Sequence, residues 1–190
     1  FSRGCPFNCE FCDIIELYGR IPRTKTPQQF CHELETLYNL GYRGSIDVVD
    51  DNFVGNKKNV RQMLSALKEW SEKFDYPFNY GTQASLTLAE DEPLMKAMRD
   101  VDFRIVFLGI ETPDPKLLAT AQKRMNVYKP ITDRIRKIYD HGLGVTAGFI
   151  LGFDGELTGA GDVIIECVER NAIPVAMVSL LTALPNTQLA

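Results

Sequence analysis

Along the chain, short β-branched runs alternate with stretches in which apolar residues recur at helical spacing. Thr26 suits an N-cap, Pro27 the first helical position, and Gln29 completes a capping box. Phe30, Leu34, Leu37 and Tyr38 then share one helical stripe, which Gly41 closes. The following segments read in turn as a strand over Ser45–Asp50, a helix marked by Val60, Met63, Leu64, Leu67 and Phe74, and a strand over Phe78–Ala84. A short helix over Glu92–Arg99 and a buried strand over Phe103–Ile110 come next. Leu117, Leu118 and Ala121 mark a further helix, and Ile131, Ile135, Ile138 and Tyr139 another, stopped by Gly142. Val145–Leu151 reads as a strand, Val163–Val168 as part of a helix, and Val175–Leu181 as the last strand.

Five strands separated by helices imply parallel pairing through right-handed crossovers. A doubly wound open sheet and a (β/α) barrel both satisfy that pattern, and the polar residues favour the barrel. Asp50, Asp51 and Asn52 follow the first of these strands, and Gln83 and Ser85 follow the second. Glu111 and Thr112 close the third, Asp154 follows the fourth, and Thr182 and Asn186 follow the fifth. Barrel enzymes build their sites from every carboxyl-terminal strand end, whereas an open sheet concentrates polar groups at one switch point. No interior linker, low-complexity segment or short repeat divides the chain, so residues 1–190 read as one core domain.

Composition narrows the picture. Hydrophobic residues make up 45% of the 190, enough for a buried core. A formal charge of −4 gives no support to phosphate-backbone binding, so no nucleic-acid partner is expected. No apolar run is long enough for a membrane span. The expected location is the cytoplasm, with peripheral contact to a membrane surface left open. Because the chain begins at Phe1 rather than Met, it reads as a fragment.

The cysteines carry the chemistry. Cys5, Cys9 and Cys12 have C-x3-C-x2-C spacing, whereas Cys31 and Cys167 are scattered. An odd count without secretory features argues against a disulfide framework. A short loop can wrap three thiolates around one face of an iron–sulfur cubane, leaving one iron without a protein ligand. A zinc site completed by Cys31 or by a partner is the alternative. Neither histidine belongs to the loop: His32 and His141 fall in helical patterns, and His141 suits a helix carboxyl-terminal turn. Cys31 and Cys167 read as small core hydrophobes, and Met63, Met95 and Met98 as core. Arg20, Arg23 and Lys25 read as a solvated basic loop, with contact to a ligand carboxylate or a neighbouring domain as the functional alternative.

With Phe11 just before the last cysteine, the loop resembles the signature of the radical S-adenosylmethionine (SAM) superfamily. That resemblance implies a [4Fe–4S] cluster on Cys5, Cys9 and Cys12, SAM bound at the remaining iron, and reductive cleavage to a 5′-deoxyadenosyl radical. Phe11 is then expected near the adenine. Where many members carry Gly-Gly-Glu, this chain has Asp50-Asp51-Asn52-Phe53, the expected neighbourhood of the SAM amino group. Gly109-Ile110-Glu111 resembles the strand end that meets the ribose, with Glu111 as acceptor. Gly148-Phe149-Ile150-Leu151-Gly152 resembles the adenine-lining G-x-I-x-G segment, and Leu184-Pro185-Asn186-Thr187 the last-strand adenine motif. The fold so implied is α/β, a partial (β/α)6 TIM-like barrel with its first strand truncated.

The stretch from Cys9 to Glu16, the segment Asp50–Lys58 and the run Leu181–Thr187 are similar to the cobalamin-binding branch, most of all to hopanoid C-2 methylase and its neighbours. This likeness implies methylation of an unactivated carbon of a hopanoid-like lipid. It also implies cobalamin on a domain preceding this segment and a low-potential electron donor such as flavodoxin or ferredoxin. Other radical SAM reactions, such as methylthiolation or ring rearrangement, and a non-enzymatic zinc module are the competing readings.

Overall fold

The computed structural model describes residues 1–190. At the amino terminus, β1 (Ser2–Arg3) pairs antiparallel with β2 (Arg23–Thr24), enclosing the cysteine loop and the short helix α1 (Ile14–Tyr18). Then follow α2 (Pro27–Asn39), β3 (Gly44–Val48), α3 (Lys57–Lys73), β4 (Phe78–Ala84), α4 (Glu92–Asp100) and β5 (Phe103–Glu111). The chain continues through α5 (Pro115–Thr120), α6 (Ile131–Asp140), β6 (Gly144–Leu151), α7 (Ala160–Arg170) and β7 (Ala176–Leu180). Strands β3 to β7 pair in sequence order, all parallel, and curl into a half-barrel. All five expected strands are present. The two-residue ribbon, α1 and the 3-10 turns lack the periodicity that sequence reading depends on.

Local chemistry sets several boundaries. Thr26 caps α2 through a complete capping box: its hydroxyl accepts from Gln29 N–H at 3.2 Å, and the Gln29 side chain accepts from Thr26 N–H at 2.9 Å. The His141 ring meets the Lys137 carbonyl at 2.8 Å at the end of α6, consistent with a terminal role.

The pleat divides the sheet into two faces. Phe78, Tyr80 and Ala84 on β4, Val106, Leu108 and Ile110 on β5, and Val145, Ala147 and Phe149 on β6 are buried in the core. Met63 and Leu67 of α3, Met95 and Met98 of α4, and Ile135 and Ile138 of α6 belong to the same core. Residues of opposite parity, Asp47, Gly81, Gln83, Ile105, Phe107 and Thr146, border the open concave face. Cys31 packs against the main core and Cys167 is buried within it, so both act as small apolar residues.

Phe103 is fully enclosed between Phe53 and Tyr80, with ring centroids 5.3 and 5.1 Å away. Phe103→Ala should cost about 3–5 kcal/mol of stability by loss of burial and cavity formation. Urea unfolding would measure it, and a cost under about 1 kcal/mol would mean that the site collapses around the gap.

Candidate active site

The cysteine loop is fastened at both ends of the half-barrel. Gly4 adopts φ +100°, and a Cβ there would lie 2.8 Å from the Gly19 carbonyl, so only glycine fits. Gly4 N–H donates to Asp51 Oδ2 at 3.2 Å, and Cys5 N–H to the Gly19 carbonyl at 3.3 Å. Asp50 anchors the loop's base, accepting from Ser2 N–H at 2.8 Å and from the Ser2 hydroxyl at 2.5 Å. On the far side, Glu10 N–H reaches the Ala121 carbonyl at 3.2 Å, and Leu189 N–H reaches the Glu10 carbonyl at 3.1 Å. Asn8, Gln122 and Gln188 extend this tie as an amide chain with bonds of 3.0 and 2.7 Å. Phe11 meets Phe153 edge-on at 6.2 Å and packs on a small apolar cluster that includes Leu117, Ala121 and Ile150.

All three loop thiols are free, half-exposed, and border one cavity of about 340 Å³. Burial pushes the Cys9 thiol up to about 11; the Lys123 ammonium opposes this, while Cys12 and Cys5 reinforce it. Burial likewise raises Cys12. The thiols therefore lie within one another's field.

The other walls come from strand ends. Asn52 spans two elements: its Nδ2 lies 3.7 Å from Cys5 Sγ, and its Oδ1 accepts from Ser85 N–H at 3.1 Å. Gly109 of β5 pairs in register with Gly148 of β6, and Gly148 with Met177 of β7. The absence of a Cβ at these two adjacent glycines makes room for neighbouring side chains: the Glu111–Lys123 pair over Gly109 and the Phe107 ring against Gly148. The Phe107 ring tucks beneath, since a Cβ at Gly148 would lie 2.8 Å from Phe107 Cζ. The β5–β6 register shifts between Gly109 and Glu111, and Glu111 takes φ 68°. A bulge and a left-handed non-glycine residue are the local strain expected where a side chain is re-aimed for function. Asn126 braces the bulge, its Nδ2 donating to the Gly109 and Ile110 carbonyls at 3.0 and 3.3 Å. Buried Arg134 holds the next turn, donating to the Met125, Asn126 and Lys129 carbonyls at 2.6–2.7 Å.

The structure thus brings Cys5, Cys9, Phe11, Cys12, Asp51, Asn52, Glu111, Gly148 and Ile150 to one cavity. Asp50, Gly152 and Leu184 do not line it. Asp50 is committed to Ser2, Gly152 turns the chain at φ +99°, and the Leu184 carbonyl accepts from the Thr187 hydroxyl at 2.7 Å. Arg20 lies outside as well, donating to the Pro6 carbonyl at 3.1 Å, and Lys25 pairs with Glu33 on the surface. Sequence reading misses Lys123, Met125, Phe107 and Met177, which also border the cavity. Lys123 stands in a coil after α5, with no periodicity or motif to mark it.

The model of the radical SAM superfamily matches residues 1–159. The chain belongs to that superfamily. It is 54% identical over 189 residues to an uncharacterized methyltransferase of Synechocystis sp., with 100% of this chain and 35% of that protein covered. It is 41% identical to hopanoid C-2 methylase of Rhodopseudomonas palustris, covering 100% of this chain and 36% of the methylase. Its fold also matches the radical S-adenosylmethionine methyltransferase TsrM of Kitasatospora setae, solved with cobalamin and a [4Fe–4S] cluster bound. There the TM-score is 0.82 at 16% identity, covering 99% of this chain and 37% of TsrM. The chain therefore spans about a third of the length of its curated relatives.

A raised thiol pKa has a definite sign. Cys9 holds its proton more tightly when folded, so its contribution to stability is present below the ordinary thiol range and lost as pH rises towards about 11. In metal-free protein at pH 8, iodoacetamide should alkylate Cys9 roughly tenfold or more slowly than in the urea-unfolded chain. Peptide mass mapping would follow the rate, and equal rates would contradict the burial of this thiol.

Proposed function

We propose that this chain is the core of a radical SAM enzyme, holding a [4Fe–4S] cluster on Cys5, Cys9 and Cys12 and binding SAM in the adjoining cavity. The single observation that carries the reading is the convergence of three free thiols with the Gly109–Glu111 and Gly148–Ile150 strand ends on one cavity. The donor set fits the group: three half-buried thiols line one wall, and no other cysteine borders the cavity. When bound, the cluster supplies the electron that cleaves SAM to a 5′-deoxyadenosyl radical. The chain's residues bind and orient. Phe11 and Ile150, packed on one apolar cluster, offer a flat apolar surface suited to an adenine. Beside Gly148 the Phe107 ring takes the space a side chain would fill and adds an apolar face to the cavity wall. Glu111 offers a carboxylate acceptor to the ribose hydroxyls, and Asp51 with Asn52 offers oxygens to the SAM ammonium.

For the whole protein we propose cobalamin-dependent methylation of an unactivated carbon in a hopanoid-like lipid. Identity to hopanoid C-2 methylase and likeness to the cobalamin-bound methyltransferase support this reading. The corrinoid then sits on a separate domain preceding this core, and a flavodoxin- or ferredoxin-type protein supplies low-potential electrons. No helix is long and apolar enough to cross a membrane.

Anaerobically reconstituted protein should bind about four irons per chain. Cys5→Ala, Cys9→Ala or Cys12→Ala should abolish the cluster, and Cys31→Ala should not. Iron and sulfide analysis decides this, and a cluster that survives Cys9→Ala would overturn the ligand assignment. With SAM, cobalamin and reductant, the complete protein should form 5′-deoxyadenosine and add one methyl group to a polycyclic lipid. Lipid mass spectra that are identical with and without the gene would defeat the substrate reading while leaving the radical SAM core in place.

A further inference from the structure

The Lys123 ammonium pairs with Glu111 Oε1, and the two side chains are only 12% and 11% exposed. Enclosure decides the weight of such a pair. Exposed ion pairs contribute little, whereas removing one partner of an enclosed pair leaves an uncompensated charge. The two oxygens of Glu111 are not equivalent. Oε1 is taken by Lys123; no protein group donates to Oε2, which is nonetheless not sealed from solvent. The open space that Glu111 borders is the cavity.

The pair sits directly over Gly109. A Cβ there would fall 2.4 Å from Glu111 Oε1 and 2.7 Å from Lys123 Nζ, so the pair fills the volume that a side chain at 109 would take. Lys123 Nζ also lies 6.0 Å from the Phe11 ring centroid, tying this wall to the cysteine loop. The segment that carries Lys123 is fixed by its own N–H, which donates to the Leu118 carbonyl at 2.9 Å, and by Asn126 and Arg134 further on.

We propose that Lys123 is a positioning residue: it clamps Oε1 of Glu111 over Gly109 and so presents Oε2 to the hydroxyls of a ribose-bearing ligand in the cavity. This rests on the SAM-binding reading and deepens it. The clamp does not compete with the ligand, because a carboxylate accepts at both oxygens. Without Lys123, a left-handed Glu111 keeps its backbone strain but loses the contact that fixes its side chain.

Anaerobic calorimetry of SAM binding to cluster-loaded, full-length protein tests the proposal with K123M, E111Q and the double variant. K123M should lower SAM affinity about tenfold with iron content unchanged. E111Q should lower it comparably, and adding K123M to E111Q should cost little more, because the clamp then has no carboxylate to hold. If K123M fails to fold, K123Q, which keeps an amide donor, should show a smaller loss in the same direction. Unchanged affinity in the folded Lys123 variant, or fully additive losses in the double variant, overturns the proposal. Wild-type protein that carries its cluster yet binds no SAM overturns the functional reading instead, so the two failures stay distinguishable.

Discussion

Side chains of a β-strand alternate between two faces, and the whole molecule is organised by that constraint. One parity of β4, β5 and β6 is given to the core beneath the helices, and the other borders the concave side. Because β3 to β7 run parallel, their carboxyl ends meet at one rim. Within the concave parity, large residues such as Phe107 stand below and glycines stand above. The cavity is thus the place where the register sets Gly109 beside Gly148.

The cysteine loop depends on that rim. Its conformation is held by ties to distant segments: Asp50 and Asp51 after β3, Ala121 after α5, Leu189 near the carboxyl end, and the apolar cluster beneath Phe11. Residues far apart in sequence therefore set the spacing of three thiols. Burial raises the pKa of the Cys9 and Cys12 thiols, and a thiol gives up its proton when it ligates a metal.

Charge at the site is handled by enclosure and bracing. Glu111 is turned by a bulge, countered by Lys123, and supported beneath by Asn126 and Arg134. Burial lowers the pKa of the Arg134 guanidinium and the Glu90 carboxylate opposes this; the two terminal nitrogens of Arg134 donate to three backbone carbonyls, while Nε has no partner. Such a network orders a coil that has few apolar contacts of its own.

Local rules in the sequence marked the five parallel strands, the helices between them and the spacing of the loop cysteines, but not the short ribbon or α1. Period-two and helical repeats located every strand of the parallel sheet, the Thr26–Gln29 pair marked the start of α2, and cysteine spacing with Phe11 favoured an iron–sulfur cluster over a zinc site. Each is a short-range signal, carried by residues a few positions apart. Which polar strand-end residues share the cavity was not legible in that way. Asp50 and Asp51 are neighbours, yet one is spent on Ser2 and the other borders the cavity. Lys123 has no local mark at all, and it meets Glu111 only because α5 and the following turn fold back over the bulge in β5. Strand periodicity says which face a side chain takes; register, bulge and loop return decide what it meets there, and those are properties of the packed chain.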